Sequence, residues 1–216
     1  MVGVRRDLQK YVDHNIISLY CNFDKAHGRE HVEQVIKKSM FLAEETNADK
    51  EMVYVVAAYH DLGMRESRLA HGFHSAKILE SDGRLLKWFS EKQRKIMAQA
   101  VEDHSKSLGR MPRSLYGKII YQADMIFDAE VVVKRSILFG AAYYQEYTFE
   151  QQVERVYCYV NKKYGADGIL KLWIDVPEER MRLQQLQKKI KDRDYVYHIC
   201  KINFNNASQK KQPDFI

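Results

Sequence analysis

The amino-acid sequence predicts an all-α fold, and three observations support this prediction. First, the 216 residues include only ten Gly and three Pro, so residues typical of tight turns are sparse. Second, apolar residues recur at helical spacing through most of the chain. Third, no segment of useful length alternates apolar and polar residues as a half-buried β-strand does.

The first part of the chain contains the clearest helical pattern. Residues 29–47 place their apolar side chains on one stripe. Residues 50–62 are apolar nearly all round, which is typical of a buried helix. Asp49 is predicted to cap the start of this helix and Gly63 to end it. Further helices are predicted over residues 4–20, 72–88 and 91–105.

The second part of the chain continues the helical pattern, and residues from about 147 to 216 contain no signature that can be assigned. Helices are predicted over residues 114–128, 130–146, 149–163 and from Asp175 to about residue 192 or beyond, with Pro177 in the first turn of the last one. We predict one domain over residues 1–146, which includes the N-terminal helix. Residues 147–216 are predicted to be a C-terminal helical extension that packs on this domain and ends in a basic tail.

Cysteine usage and the N-terminal sequence predict a cytoplasmic protein without a membrane segment. Cys21, Cys158 and Cys200 form no Cys-x-x-Cys pair, and their odd number is typical of reduced thiols. Charges at Arg5 and Arg6 interrupt the N-terminal segment, so it has no secretory apolar region. The longest apolar runs are too short to cross a bilayer.

The charge balance favours an anionic partner. The net charge is +6 and the sequence pI is about 9.0. Such a balance suits a small phosphate compound, for example a nucleotide. No recognised nucleic-acid-binding motif occurs, so nucleic acid is not the expected partner. The sequence leaves open whether the chain forms a homodimer.

The dipeptide His60-Asp61 is the first indication of a metal site. It ends the predicted buried helix, within the segment VVAAYHDLG. Burying an ionised Asp beside a His is costly unless a cation pairs with it, and a divalent metal is one such cation. A hydrogen-bonded His–Asp pair at a helix end would explain the dipeptide alone equally well.

Two further residues strengthen the prediction of a metal site. His31 borders the buried stripe of its helix, one turn before Val35. Asp124 lies at the edge of the apolar face of its helix, four residues after Ile120. A single acid in that position would be an ordinary salt bridge at the edge of the core. Four such residues on three helices instead predict a metal site, formed by His31, His60, Asp61 and Asp124.

The order H…HD…D resembles the HD superfamily of metal-dependent phosphohydrolases. The matching segments are AHGREHVEQV (26–35), AAYHDLG (57–63) and IIYQADMI (119–126). The resemblance implies that the two His and two Asp bind a divalent ion within an HD-domain helical bundle, here with additional C-terminal helices. His27 is an alternative to His31, but the family pattern places its ligand His a few residues before a Val.

Three segments are also similar to a branch of the family that hydrolyses dinucleoside polyphosphates: HGFHSA (71–76), AVEDHS (100–105) and IIYQAD (119–124). This similarity implies a two-metal site in which His71 and His104 are further ligands and Asp61 is a bridge. His74 is an alternative to His71, and a structural role would explain His71 and His104 without a metal. After residue 126 the chain departs from the branch, because MIFDAEVVV replaces a Glu-Pro-like segment.

The predicted ligand set combines imidazole and carboxylate, which accept Mn, Fe, Ni, Co, Zn or Mg as one or two ions per chain. Such an ion lowers the pKa of a bound water and polarises a phosphoryl oxygen. Asp61 and His104 are predicted to be catalytic through this site. Asp103 is predicted to assist proton transfer, unless it is an exposed helix residue. Five cations are predicted to bind substrate phosphates, although each alone is more often a solvated surface charge: Arg65, Arg68, Lys106, Arg110 and Arg113.

The predicted function is hydrolysis of a nucleotide or related small phosphate compound by a metal-activated water. A binding or regulatory module that keeps the metal and fold but has no turnover is the second interpretation. The unassigned C-terminal segment leaves room for it. An HD-type oxygenase with a di-iron centre is the third, since it uses similar ligands.

Overall fold

The computed structural model describes residues 3–23, 27–105 and 110–209, with side chains to residue 204 in the last helix. These residues contain ten α-helices and three 3₁₀ helices but no β-strand, which confirms the predicted all-α class. The α-helices are α1 (Arg6–Asn15), α2 (Arg29–Glu45), α3 (Lys50–Tyr59), α4 (His71–Ser81), α5 (Glu91–Asp103), α6 (Leu115–Ala123), α7 (Ala129–Tyr143), α8 (Phe149–Tyr164), α9 (Pro177–Lys191) and α10 (Arg193–Gln209). The 3₁₀ helices are Ile17–Asn22, Leu62–Arg65 and Gly83–Lys87.

The chain divides into two compact units, Met1–Met125 and Ile126–Ile216. The division falls before α7, whereas the sequence pattern grouped this helix with the first domain, residues 1–146. The reason for the difference is that α7 packs against α8, α9 and α10. This packing of α7 does not test the predicted domain organisation, so the division into residues 1–146 and 147–216 stays a prediction.

Helix α3 lies at the centre of the first unit. It packs against α2, α4, α5 and α6. Every side chain from Met52 to Tyr59 is buried, as its all-round apolar sequence predicts. His60 and Asp61 follow directly at its C-terminal end, so they lie in the interior of the first unit.

Side-chain caps begin most of the helices that position the site. Asp49 accepts hydrogen bonds from the backbone N–H groups of Glu51 and Met52, at 2.9 and 3.2 Å, so its predicted role as the cap of α3 is confirmed. Ser90 forms a capping box with Gln93 at the start of α5. Ser114 caps α6 by accepting a hydrogen bond from the backbone N–H of Gly117.

The structure corrects several predicted helix ends. Gly63 does not end α3, because α3 stops at Tyr59 and Gly63 lies within the following 3₁₀ helix. The helix predicted over 72–88 breaks at Asp82, whose carboxylate accepts from the backbone N–H of Arg84 and so begins a 3₁₀ helix. The last predicted helix is observed as α9, but it does not continue beyond residue 192, because Asp192 ends α9 and its carboxylate accepts from the first backbone N–H groups of a separate helix, α10.

The second unit is a four-helix arrangement in which α7 contacts each of the other three helices. Its core contains apolar side chains from all four helices, among them Ile137, Val160, Ile190 and Val196. The predicted basic tail, at Lys210 and Lys211, lies outside the described residues. Within the residues that the structure does describe, no helix is both long and apolar enough to span a membrane.

Candidate metal centre

The first cluster of candidate ligands brings three helices together. His31 lies in the first turn of α2, His60 directly follows α3, and Asp124 directly follows α6. The Nε2 atoms of His31 and His60 are 3.2 Å apart, and His31 Nε2 is 3.4 Å from Asp124 Oδ1. The three ligand atoms all lie within 4.8 Å of one another, close enough for one ion to contact them together.

The second cluster contains Asp61, His71 and His104. His71 is the first residue of α4, and His104 directly follows α5. Their Nε2 atoms are 3.0 Å apart. Asp61 Oδ1 is 3.4 Å from His104 Nε2 and 3.7 Å from His71 Nε2.

Asp61 lies between the two clusters. Its Oδ2 atom is 3.2 Å from His60 Nε2 and 3.4 Å from His31 Nε2, both in the first cluster. Its Oδ1 atom faces the second cluster. One carboxylate therefore presents one oxygen to each cluster, which is what a bridging ligand requires. The structure thus brings together all six residues predicted as ligands, although their binding of an ion stays a prediction.

Three of the four candidate ligand histidines share one hydrogen-bonding arrangement, in which Nδ1 faces the backbone carbonyl of the residue three positions earlier. The pairs are His60 with Ala57 at 2.7 Å, His71 with Arg68 at 2.8 Å, and His104 with Val101. A carbonyl oxygen only accepts, so Nδ1 carries the proton in each ring. In the neutral imidazole, Nε2 then holds a lone pair that points into the site.

The paired Nε2 atoms are the strongest indication that the site binds cations. Two Nε2 lone pairs that face each other at about 3 Å repel unless a proton or metal ion lies between them. This situation occurs at His71–His104, where both Nδ1 atoms face carbonyls, and His31 and His60 bring a second pair of Nε2 atoms to 3.2 Å. Fixing of Nδ1 by a carbonyl is also the usual arrangement of a metal-binding histidine.

Burial and charge oppose each other in the site. Burial alone raises the pKa of the Asp61 carboxyl, but the electrostatic effect of His60 and the contacts of Asp61 with His104 and His31 outweigh burial and hold the pKa well below its ordinary value. Burial lowers the pKa of His60, but the Asp61 charge outweighs it, and the net pKa is raised. For His71, burial and the His104 charge prevail and lower the pKa. The buried Asp61 carboxylate and the imidazoles around it are all groups that bind a divalent ion, so one such ion could serve as their shared partner.

Gly72 allows α4 and α5 to approach closely enough to pair His71 with His104. A Cβ atom at this position would lie 3.0 Å from Ser105 Cβ, 3.1 Å from Glu102 O and 3.6 Å from His104 Cε1. Such contacts are too close for comfortable packing, so a larger residue would push the helices apart. The Gly in the segment HGFHSA therefore has a packing role next to its histidine.

Asp103 forms ion pairs rather than facing the two clusters. Its carboxylate accepts from the backbone N–H of Arg113 at 2.7 Å and from Arg113 Nε at 2.9 Å. Arg110 is 3.3 Å away, and both arginines also contact Glu102. These contacts favour a positioning role for Asp103 over the predicted role in proton transfer. They also occupy Arg113 and partly occupy Arg110, which were predicted to bind phosphate.

The remaining predicted phosphate-binding residues have different surroundings. Arg65 is exposed, but its guanidinium donates to the backbone carbonyl of Leu19 at 3.0 Å and lies 5.4 Å from the centre of the Phe23 ring. Arg68 is exposed, and its backbone carbonyl faces His71 Nδ1. Arg68 therefore stands close to the second cluster. Lys106 lies outside the described residues.

Sequence reasoning missed two hydroxyl groups that hold the turn with His60 and Asp61. Tyr20 and Ser75 donate to or accept from the backbone of this turn. Neither residue interrupts the apolar pattern of its helix as His31 and Asp124 do, and neither is close in sequence to the turn. Only the tertiary fold brings them to the site, so no signal in the single sequence would have identified them.

The fold and the two clusters define a helical protein with a candidate two-ion centre. Residues 28–126 match the family model for the HD domain. The structure is also similar to the crystal structure of a predicted HD superfamily hydrolase from an uncultured Thermotogales bacterium. The TM-score is 0.52 at 16% sequence identity, with 94% of this chain and 95% of that chain covered. At this identity the likeness establishes the fold. Comparison with curated proteins gives no match.

Proposed function

We propose that this protein is a divalent-metal-dependent phosphohydrolase that acts on a nucleotide or a related small phosphate compound. The observation that carries the proposal is the pair of Nε2–Nε2 contacts, 3.2 Å at His31–His60 and 3.0 Å at His71–His104, with the Asp61 carboxylate between them. A divalent cation between these ligand atoms would remove the repulsion between the lone pairs and neutralise the buried carboxylate. The constellation lies within the residues that match the HD domain, and metal-dependent phosphohydrolysis is the activity that the resemblance implies.

Each residue has a distinct role in the proposed site. His31, His60 and Asp124 would hold one ion, His71 and His104 the other, and Asp61 both. A divalent ion in such a ligand set supplies a water of lowered pKa and polarises a phosphoryl oxygen. The carbonyls that face Nδ1 of His60, His71 and His104 keep these rings oriented, so that the lone pairs stay directed at the site.

The exposure of the ligands indicates the side from which a substrate would approach. The side chains of His60 and His104 are 0% and 2% exposed, which closes one side of the site. Those of His31, Asp124 and His71 are 15%, 19% and 21% exposed. A catalytic metal site keeps an open position for substrate, and this accessible side would provide it.

The substrate class follows from the cations near this accessible side. Arg68 is exposed and lies three residues before His71 in the chain, and the side chain of Arg110 is 44% exposed and lies 3.3 Å from both Asp103 and Glu102. A guanidinium group binds phosphate through charge-assisted hydrogen bonds. We assign substrate binding to these two exposed guanidinium groups. The segments shared with the dinucleoside-polyphosphate branch favour a nucleotide carrying more than one phosphate.

The test is phosphate release from a nucleotide panel. The protein is loaded separately with Mn, Fe, Co, Ni, Zn and Mg and incubated with nucleoside mono-, di- and triphosphates and dinucleoside polyphosphates. We expect release with at least one metal and none from Asp61→Ala prepared in parallel. Oxygen uptake without phosphate release would support the di-iron oxygenase instead. Metal binding without either activity would support a binding or regulatory protein.

A further inference from the structure

The turn that carries His60 and Asp61 lies outside α3, so its backbone groups need partners other than the helix. Two side-chain hydroxyls supply them. The backbone N–H of Asp61 donates to the Tyr20 hydroxyl at 3.3 Å, and the backbone N–H of Gly63 donates to Ser75 Oγ at 2.8 Å. One hydroxyl therefore lies at each end of the turn.

Tyr20 reaches the turn from the 3₁₀ helix Ile17–Asn22. Its side chain is completely buried, and its hydroxyl donates to the Ala58 carbonyl at 2.9 Å while it accepts from Asp61. Burial and the Asp61 charge raise the pKa of Tyr20 well above its ordinary value, so the hydroxyl remains a donor. One hydroxyl thus connects the last turn of α3 with the residue that follows it.

Other contacts fix the 3₁₀ helix that carries Tyr20. Arg65, just after the turn, donates to the Leu19 carbonyl at 3.0 Å. The Arg65 guanidinium lies over the Phe23 ring, whose centre is 5.0 Å from the centre of the Tyr20 ring. The 3₁₀ helix is therefore attached to the chain on both sides of Asp61, and Tyr20 has little freedom to move.

Ser75 fixes the other end of the turn to the helix that carries His71. It is buried, and it lies one turn after His71 in α4. Gly63 is in close contact with the same helix: a Cβ there would lie 2.6 Å from the Ser75 backbone nitrogen and closer still to the His71 carbonyl oxygen. The Asp61 backbone is thus held between a hydroxyl from the 3₁₀ helix and one from α4.

We infer that Tyr20 is a positioning residue for the Asp61 carboxylate, and that Ser75 supports it from the opposite end of the turn. The inference rests on the proposed function in one respect, the role of Asp61 as a ligand shared by two ions. Removing the Tyr20 hydroxyl would leave the buried Asp61 N–H and Ala58 carbonyl without this partner. Asp61 would then be free to rotate away from the position between the clusters.

The experiment compares Mn²⁺ binding by wild-type protein, Tyr20→Phe and Ser75→Ala with two matched controls. Tyr54→Phe removes another buried tyrosine hydroxyl, which lies away from the site and donates to the Asp13 carboxylate at 3.0 Å. Ser39→Ala removes a buried hydroxyl that has no hydrogen-bond partner among the described residues. Loss of an outer partner of a metal ligand typically weakens metal affinity by about 10–100-fold. We expect this loss for Tyr20→Phe, a smaller loss for Ser75→Ala, and none for the controls.

A second readout needs no metal. Amide exchange measured by NMR on metal-free protein is expected to accelerate at Asp61 in Tyr20→Phe but not in Tyr54→Phe. Equal Mn²⁺ affinity and equal Asp61 exchange in these two variants would overturn the inference and leave the proposed function intact. Failure of the wild-type protein to bind any of the metals Mn, Fe, Co, Ni, Zn and Mg would overturn the proposed function, and the inference with it.

Discussion

His71 Nε2 and His104 Nε2 lie 3.0 Å apart, although each ring directs its Nδ1 atom at a backbone carbonyl. The two residues are on different helices, and Gly72 permits the close contact between these helices. The fold therefore brings two lone pairs together where packing alone would favour separation. Binding of a cation is the simplest physical reason for such an arrangement.

The second cluster is tested by removing its histidines. His104→Ala and His71→Ala are each expected to lower the metal content from two ions per chain toward one, because the His31, His60 and Asp124 cluster remains. His74→Ala is the control, since His74 lies on the same helix as His71 but pairs with Glu66 at 2.6 Å. Elemental analysis after loading with Mn²⁺ measures the change. A content that is the same in all three variants and the wild type would give His71 and His104 purely structural roles.

Gly63 provides a test of the contact between the turn and α4. In Gly63→Ala the new Cβ would meet the backbone of His71 and Ser75, so α4 must shift away from Asp61. We expect a loss of about 2 kcal/mol in the free energy of unfolding, together with weaker binding of the second ion. Gly83→Ala is the matched control, because a Cβ there meets no atom of the described residues within 4 Å. Urea denaturation and metal titration compare the two, and equal behaviour would contradict the packing argument.

The arginines are expected to separate into two groups. Arg68→Ala should raise the Michaelis constant for a phosphate substrate about tenfold and lower the melting temperature less than Arg113→Ala does, because Arg68 is exposed and its main proposed role is a charge-assisted hydrogen bond to substrate. Arg113→Ala should lower the free energy of unfolding by about 2 kcal/mol, since it removes the guanidinium that donates to the buried Asp103 carboxylate and leaves the backbone N–H of residue 113 and the 3.3 Å contact with Arg110. Steady-state kinetics and thermal denaturation distinguish the effects. The reverse pattern would mean that Arg113, and not Arg68, binds substrate.

Asp82 is expected to give a pH-dependent contribution to stability. Burial raises the pKa of its carboxyl, but hydrogen bonds from Tyr11, Tyr59 and Arg84 outweigh burial and hold the pKa below the ordinary 3.8. A group with a depressed pKa stabilises the fold above its unfolded pKa and loses this contribution as the pH falls through its folded pKa. Asp82→Asn should therefore cost about 2 kcal/mol at neutral pH, and the difference from wild type should shrink below pH 3.8. A difference independent of pH would contradict this assignment.

The sequence predicted much of the fold, and it predicted which candidate ligands the fold brings close together, because both depend on local patterns. The all-round apolar segment that ends at Tyr59 is the buried central helix α3. His31 and Asp124 border apolar stripes, and the same stripes direct them toward His60. Local spacing is sufficient in these cases because the buried face of a helix is also the face that meets its neighbours.

The features that the sequence did not predict depend on partners far along the chain or on competition at helix ends. Asp82 and Asp192 interrupt regions of continuous helical periodicity, because each carboxylate binds backbone N–H groups that follow it. Asp103 is occupied by Arg113 across a loop. Tyr20 meets Asp61 only through the fold, at a separation of 41 residues. Helical periodicity carries no information about such pairs.

The most direct test of the metal centre is the metal content of the Asp61→Ala variant after loading with Mn²⁺ and removal of free ions. We predict up to two ions per chain in the wild type and a loss of both in the variant, because Asp61 presents one oxygen to each cluster. Asp49→Ala is the control: it removes the cap of α3, costs about 1 kcal/mol of stability and should keep the full metal content. An Asp61→Ala protein that retains the wild-type metal content would contradict the proposed centre.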